Sequence, residues 1–176
     1  MSTLDVEKLL KALENEDNEE LLNIDFKTLH AQKEKIINKL QLPSEETKGM
    51  LKKLKVYRFI DELPDMRYGS YIRWISLKDP DNLKLTNGGI VCEMKVGDTG
   101  IIVVCKNRFN HFFQLNMNEN LIFQKLSDQE QVLLSALDFI NSWSGVSGSA
   151  NASGSANASI WTSLFFIFNS QSFSSF

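Results

Sequence analysis

Ile90-Val91-Cys92-Glu93-Met94-Lys95-Val96, then Gly97-Asp98-Thr99-Gly100, then Ile101-Ile102-Val103-Val104-Cys105, is the stretch that sets the fold class. Two β-branched runs flank a short polar segment holding two glycines, the pattern of a β-hairpin. Side chains on a strand alternate between faces, so Ile90, Cys92, Met94 and Val96 are expected on the core side of the first arm, opposite Val91, Glu93 and Lys95. Pairing Val96 with Ile101 then sets Met94 against Val103 and Cys92 against Cys105. The second arm is apolar on both faces, which predicts a central strand with a helix over its far side.

Outward from the hairpin the period of two continues. Tyr68–Leu77, His111–Met117 and Leu121–Leu126 read as further strands, separated by Lys78-Asp79-Pro80-Asp81-Asn82, Asn87-Gly88-Gly89 and the Lys106–Asn110 segment. Asp79, Asp81 and Asn82 are turn formers, because no glycine and closing glutamate follow at calcium-loop positions. Four or five short strands in so few residues predict an antiparallel meander curled into a small barrel or half-barrel.

The flanks read as helix. Ser2 or Thr3 can cap a segment carrying Leu4, Leu9, Leu10 and Leu13, followed by the acidic run Glu14, Glu16, Asp17, Glu19 and Glu20. Asp25 precedes Phe26, Leu29, Ile36, Ile37 and Leu40, a stripe interrupted only by Lys33, whose aliphatic stem can lie along it. Ser44 is expected to cap a third helix running to Pro64, with Glu45 and Glu46 in its first turn and Leu51, Leu54, Val56, Phe59, Ile60 and Leu63 available for burial. Ser127 with Glu130 forms a capping box ahead of Leu133, Ala136, Leu137, Ile140 and Trp143. The expected organisation is therefore an α+β chain. A helical region (1–65) packs on a small barrel with its closing helix (66–143), and a linker (144–159) and an apolar tail (160–176) follow.

The linker holds GSANAS twice, at 148–153 and 154–159, a composition too polar and small to repay ordering. Ile160–Phe168 is too short to span a bilayer. It reads as a partner-docking peptide, an interfacial anchor or a strand added to the domain's own edge, or else as a spurious extension of the reading frame.

Among the 176 residues, 43% are hydrophobic and 23% charged, with a net charge of -3. That excludes a chain disordered throughout, and the absence of an apolar run of about 18 residues excludes a transmembrane span. Residues 67–126 carry eight cations and five acids, the only basic segment. Two cysteines and no signal-peptide pattern point to a reducing, cytoplasmic compartment. A Cys92–Cys105 disulfide is geometrically conceivable, and two free thiols suit that compartment.

Motifs whose spacing carries a reaction are missing. His30 and His111 share no metal-ligand spacing with each other or with a cysteine, and the chain has no phosphate-binding glycine loop, GxSxG or HExxH. No catalytic residue, metal or cofactor is assigned, and a non-enzymatic binding protein is expected. Two surfaces are candidates for contact. One is the cationic stripe Lys48, Lys52, Lys53, Lys55 and Arg58, which the acids at 14–20 could instead neutralise. The other is Lys106, Arg108 and Phe112 with Arg73 and Trp74, where rings beside cations suit a protein partner or stacked nucleic-acid bases.

Gly69-Ser70-Tyr71-Ile72-Arg73-Trp74-Ile75, Leu85 with Gly88-Gly89-Ile90, Cys105-Lys106-Asn107, Phe113-Gln114-Leu115 and Ile122-Phe123-Gln124-Lys125 together resemble a small-barrel pattern in uncharacterised proteins of large nucleocytoplasmic DNA viruses. The resemblance covers about residues 66–126 and maps no functional residue. It implies a virion or viral-factory component in the host cytoplasm that acts by binding.

Overall fold

The computed structural model describes residues 6–15, 18, 25–98 and 100–144. The chain divides into two compact units, residues 1–26 with 129–176, and residues 27–128. The GSANAS linker and the 160–176 tail lie outside the described residues, as do Leu4, Glu16, Asp17, Glu19 and Glu20 and the side chain of Trp143.

In the first unit, α1 (Val6–Leu13) packs on α4 (Asp128–Ser144). Leu9 and Ala12 meet Leu133 and Ala136, with Leu13, Val132 and Ile140 around them. Beyond α1, Asn15 donates to Gln129 Oε1 at 2.9 Å, and Asn18 donates to the Ala12 carbonyl at 2.9 Å, satisfying one of the acceptors a helix end exposes. Of the stripe expected on α4, Leu133, Ala136 and Leu137 are buried and Ile140 is half-buried; Leu134 is buried as well, whereas Leu10 of α1 is exposed.

The second unit holds α2 (Phe26–Asn38), α3 (Ser44–Lys53) and six strands: β1 (Tyr57–Ile60), β2 (Tyr71–Ser76), β3 (Gly89–Gly97), β4 (Gly100–Lys106), β5 (Phe112–Asn116) and β6 (Asn120–Lys125). They form one antiparallel sheet in the order β1-β6-β2-β3-β4-β5, so β1 and β5 are its edges and the sheet is not closed. It is nevertheless strongly curled. Only the turn Met117–Glu119 joins β5 to β6, a reach of about 10 Å. Laid flat, those strands would sit four spacings, about 19 Å, apart. Likewise the Trp74 ring on β2 lies 5.1 Å from the Phe113 ring on β5, three strands away.

The concave face collects Ile60, Ile72, Val91, Val103, Cys105, Leu115 and Ile122, at least one residue from every strand, together with Met66 from the β1–β2 loop. Gly89 makes the curl possible. A Cβ built there would stand 2.9 Å from Phe113 Cζ and 3.0 Å from the Lys106 carbonyl, so bare backbone is what lets the Phe113 ring cross β3 toward Trp74. Gln124 is fully buried among these residues, and its side chain is satisfied. Its Oε1 accepts from the Arg67 amide and the Ser70 hydroxyl, each at 2.8 Å, and its Nε2 donates to the Asp65 carbonyl at 3.2 Å. The Arg58 guanidinium donates to that same carbonyl at 2.6 Å. These bonds hold the loop that plugs Met66 into the core.

The convex face over β1, β6 and β2 is covered by α2 and α3, through Ile37, Met50, Leu54, Tyr57, Ile75 and Phe123. Lys33 ties the two helices to the sheet. It is buried whole rather than by its stem alone, and its ammonium donates to the carbonyls of Leu54 at 2.7 Å, Lys55 at 3.2 Å and Tyr57 at 2.6 Å.

Several expectations are corrected. The third helix stops at Lys53, and Tyr57–Ile60 is a strand paired with β6, because Lys33 takes the carbonyls at the helix end while β6 offers a partner. Pro43, not Ser44, occupies the N-cap position, and no side chain caps there. The hairpin register holds from Val96–Ile101 to Glu93–Val104, then slips at a bulge, so that Val91 pairs with Cys105. Val91 therefore points inward while Ile90 and Cys92 are exposed; Val96 keeps its expected pairing and is exposed at the end of the hairpin. Cys92 does not face Cys105, and both thiols are free. No residue of β4 belongs to the cluster under α2 and α3, so the helix expected over its second face is not supplied by them.

Two outcomes follow. Gly89→Ala drives a methyl into the Phe113 ring and costs about 1–3 kcal/mol in urea unfolding; adding Phe113→Leu recovers a measurable part, a coupling that a double-mutant cycle reads. The second concerns pH. Burial pulls the Lys33 ammonium from 10.5 down to about 8, so between those values the unfolded chain holds a proton the folded chain has released, and stability rises with pH. Burial, with a smaller contribution from Cys92, pushes the Cys105 thiol from 9.0 up to about 12, so stability falls with pH in that range; Tyr57, also raised by burial, acts in the same direction. Stability therefore climbs from about pH 8 to about 9, levels off where the two contributions oppose each other, and falls above about pH 10.5, where Lys33 has no further proton to lose. Lys33→Met removes the climb and lowers stability by roughly 3 kcal/mol at neutral pH, and Cys105→Ala weakens the alkaline decline.

Candidate binding surface

Beyond the area covered by α2 and α3, the convex face continues across β3, β4 and β5. Cα pairing sets Ile90 beside Lys106 and Lys106 beside Phe112, a row of three on one face. Ile90 is 44% exposed and Phe112 66% exposed. The Lys106 ammonium stands 5.9 Å from the Phe112 ring centroid, within cation–π range. The next rows are Glu93, Val104 and Gln114, then Lys95, Ile102 and Asn116. Glu93 and Lys95 neutralise each other at 3.1 Å, and Val104 and Ile102 are half-buried.

The β4–β5 hairpin extends this row. Asn107 builds the turn: its Oδ1 accepts from the amides of Phe109 at 2.9 Å and His111 at 3.1 Å, and its own amide donates to the His111 carbonyl at 3.0 Å. Asn110 takes the left-handed conformation, with φ of 62°, that asparagine tolerates better than most residues. The turn holds up Phe109, 62% exposed, with the Arg108 guanidinium 4.5 Å from its ring centroid. Two aromatic–cation pairs thus sit on neighbouring positions, each worth about 0.5–1 kcal/mol where exposed.

The structure brings together only part of the residues singled out from the sequence. Lys106, Arg108 and Phe112 share this surface. Trp74 does not, since it packs in the concave core against Phe113. Arg73 is half-buried and donates to the Thr86 carbonyl at 2.8 Å. Lys48, Lys52 and Lys53 are exposed on α3 and Lys55 follows in the turn, with Lys48 3.3 Å from Glu45. Arg58 is separated from them on β1, committed to Asp65. The stripe is therefore four exposed lysines rather than five cations on one helix. Ile90 was missed because the bulge that turns it outward has no mark in the alternation.

His111 is exposed, and His30 lies 3.8 Å from Glu34 on the exposed side of α2. Among the described residues no group of three His, Cys, Asp or Glu side chains could hold a metal ion, and no helix is long and apolar enough to cross a membrane. No protein-family model, curated protein or solved structure matches the chain.

Asn107→Ala leaves the amides of Phe109 and His111 without their acceptor. Their hydrogen exchange is expected to speed up markedly, with a loss of about 1 kcal/mol in unfolding free energy, while exchange in β6 stays unchanged.

Proposed function

We propose that the protein is a non-enzymatic binding module that receives a protein partner on the convex surface of β3, β4 and β5 and the β4–β5 hairpin. The observation that carries this reading is the row Ile90–Lys106–Phe112, continued by Phe109, in which large apolar side chains stay in water beside cations instead of joining either core. Aromatic and arginine side chains at the centre of a patch are what protein interfaces use as anchors. The curled sheet acts as a half-barrel scaffold that presents the patch rigidly. The likeness of residues 66–126 to the viral small-barrel pattern is the ground for placing the partner in a viral assembly in the host cytoplasm.

A second reading, single-stranded nucleic acid, draws on the two ring–cation pairs Arg108–Phe109 and Lys106–Phe112, which offer stacking and phosphate contact at adjacent positions. It is the lesser one, since Arg73 is occupied and Trp74 is inside.

Peptides selected against the full chain from a random display library are expected to lose at least about tenfold in affinity on Phe112→Asp or Ile90→Asp and to respond weakly to salt. Binders indifferent to both substitutions overturn the reading. A steep loss of oligothymidylate binding between low and moderate salt, abolished by Arg108→Ala with Phe109→Ala, would favour the nucleic-acid reading.

A further inference from the structure

The β1 edge of the sheet is closed at its start. On β1 the outward-directed groups of Tyr57 are satisfied: its amide donates to the Leu54 carbonyl at 3.1 Å and its carbonyl accepts from Lys33 at 2.6 Å. On β5 the pairing of Asn107 with His111 fixes the alternation, so Phe113 and Leu115 direct their backbone groups to β4, whereas Phe112 and Gln114 direct theirs away from it. Phe112 and Gln114 are exposed. Natural edge strands are blunted by charge, proline or bulges, and Phe112-Phe113-Gln114-Leu115-Asn116 has none of these.

We infer that the β5 edge pairs with β5 of a second copy of this chain, antiparallel about a two-fold axis at Gln114. The pattern is self-complementary. Centred on Gln114, the two strands exchange the Gln114 amides and carbonyls, and each Phe112 falls opposite the other copy's Asn116. No side chain of the strand is charged, so no like charges meet. A single contact of this kind closes as a dimer, and it lays the two convex patches side by side. The inference stands apart from the identity of any other partner.

Sedimentation velocity on the full chain over a range of concentrations tests it. A monomer–dimer equilibrium is expected, with the Phe112 and Gln114 amides slow to exchange in the dimer and fast in the monomer. Gln114→Pro removes an N–H that does not belong to the β4–β5 ladder, and Gln114→Lys sets two ammonium groups against each other at the axis. Each is expected to raise the dimer dissociation constant at least about tenfold. Gln114→Lys keeps the N–H and the backbone geometry, so its readout persists if the proline variant fails to fold. A chain monomeric at every concentration, or a dimer indifferent to Gln114→Lys, overturns the inference. So does protection of the Phe112 and Gln114 amides in a monomer, which would mean that the chain's own Ile160–Phe168 segment occupies the edge.

Discussion

Lys33 brings a full positive charge into the interior of the sheet unit, and the course of the chain between α3 and β1 follows from where that charge is spent. Continuing α3 would require its last carbonyls to meet amides one turn further on. Instead those of Leu54 and Lys55, and that of Tyr57 just beyond, receive the ammonium. The helix can end without glycine, and Tyr57–Ile60 is released to pair with β6. A neutral side chain of the same length would bury three acceptors with too few donors, which is more costly than an absent bond. Burial lowers the ammonium to about 8, still leaving it mostly charged at neutral pH.

The curl of the sheet rests on two further buried details of opposite kind. At Gly89 the absence of a side chain admits the Phe113 ring, and at Gln124 the presence of a polar side chain closes the loop from Asp65 to Ser70 over the concave core. Both serve the same end. A curved sheet must bring distant strands together on its inner side and then seal the open end, and neither steric room nor polar satisfaction can be missing there.

Because the concave side is filled, the surface left for recognition is convex. It carries exposed rings on a turn that Asn107 fixes from within, so the contact residues are displayed by backbone geometry rather than by a mobile loop. The same strand that contributes Phe112 ends the sheet. Face and edge are therefore adjacent, and a partner strand at the edge would extend the face.

Five of the strands, the two arms of the hairpin and the three that flank it, and the helices α2 and α4 were legible in the sequence, because periods of two and of three to four residues follow from local geometry alone. So was the mild basic character around Lys106 and Arg108. The end of α3 was not legible: Val56, Phe59, Ile60 and Leu63 fit a helix as well as a strand, and the decision lay with Lys33, some twenty residues earlier. Nor was the bulge at Cys92, since it depends on the partner strand and reverses which of Ile90 and Val91 is buried. Trp74 and Arg73 are consecutive, yet curvature sends one into the core and the other to the Thr86 carbonyl. The sequence by itself determined which segments are strand or helix wherever periodicity is unambiguous. Tertiary structure decided strand order, register and which rings face water, because those depend on contacts between residues far apart in the chain.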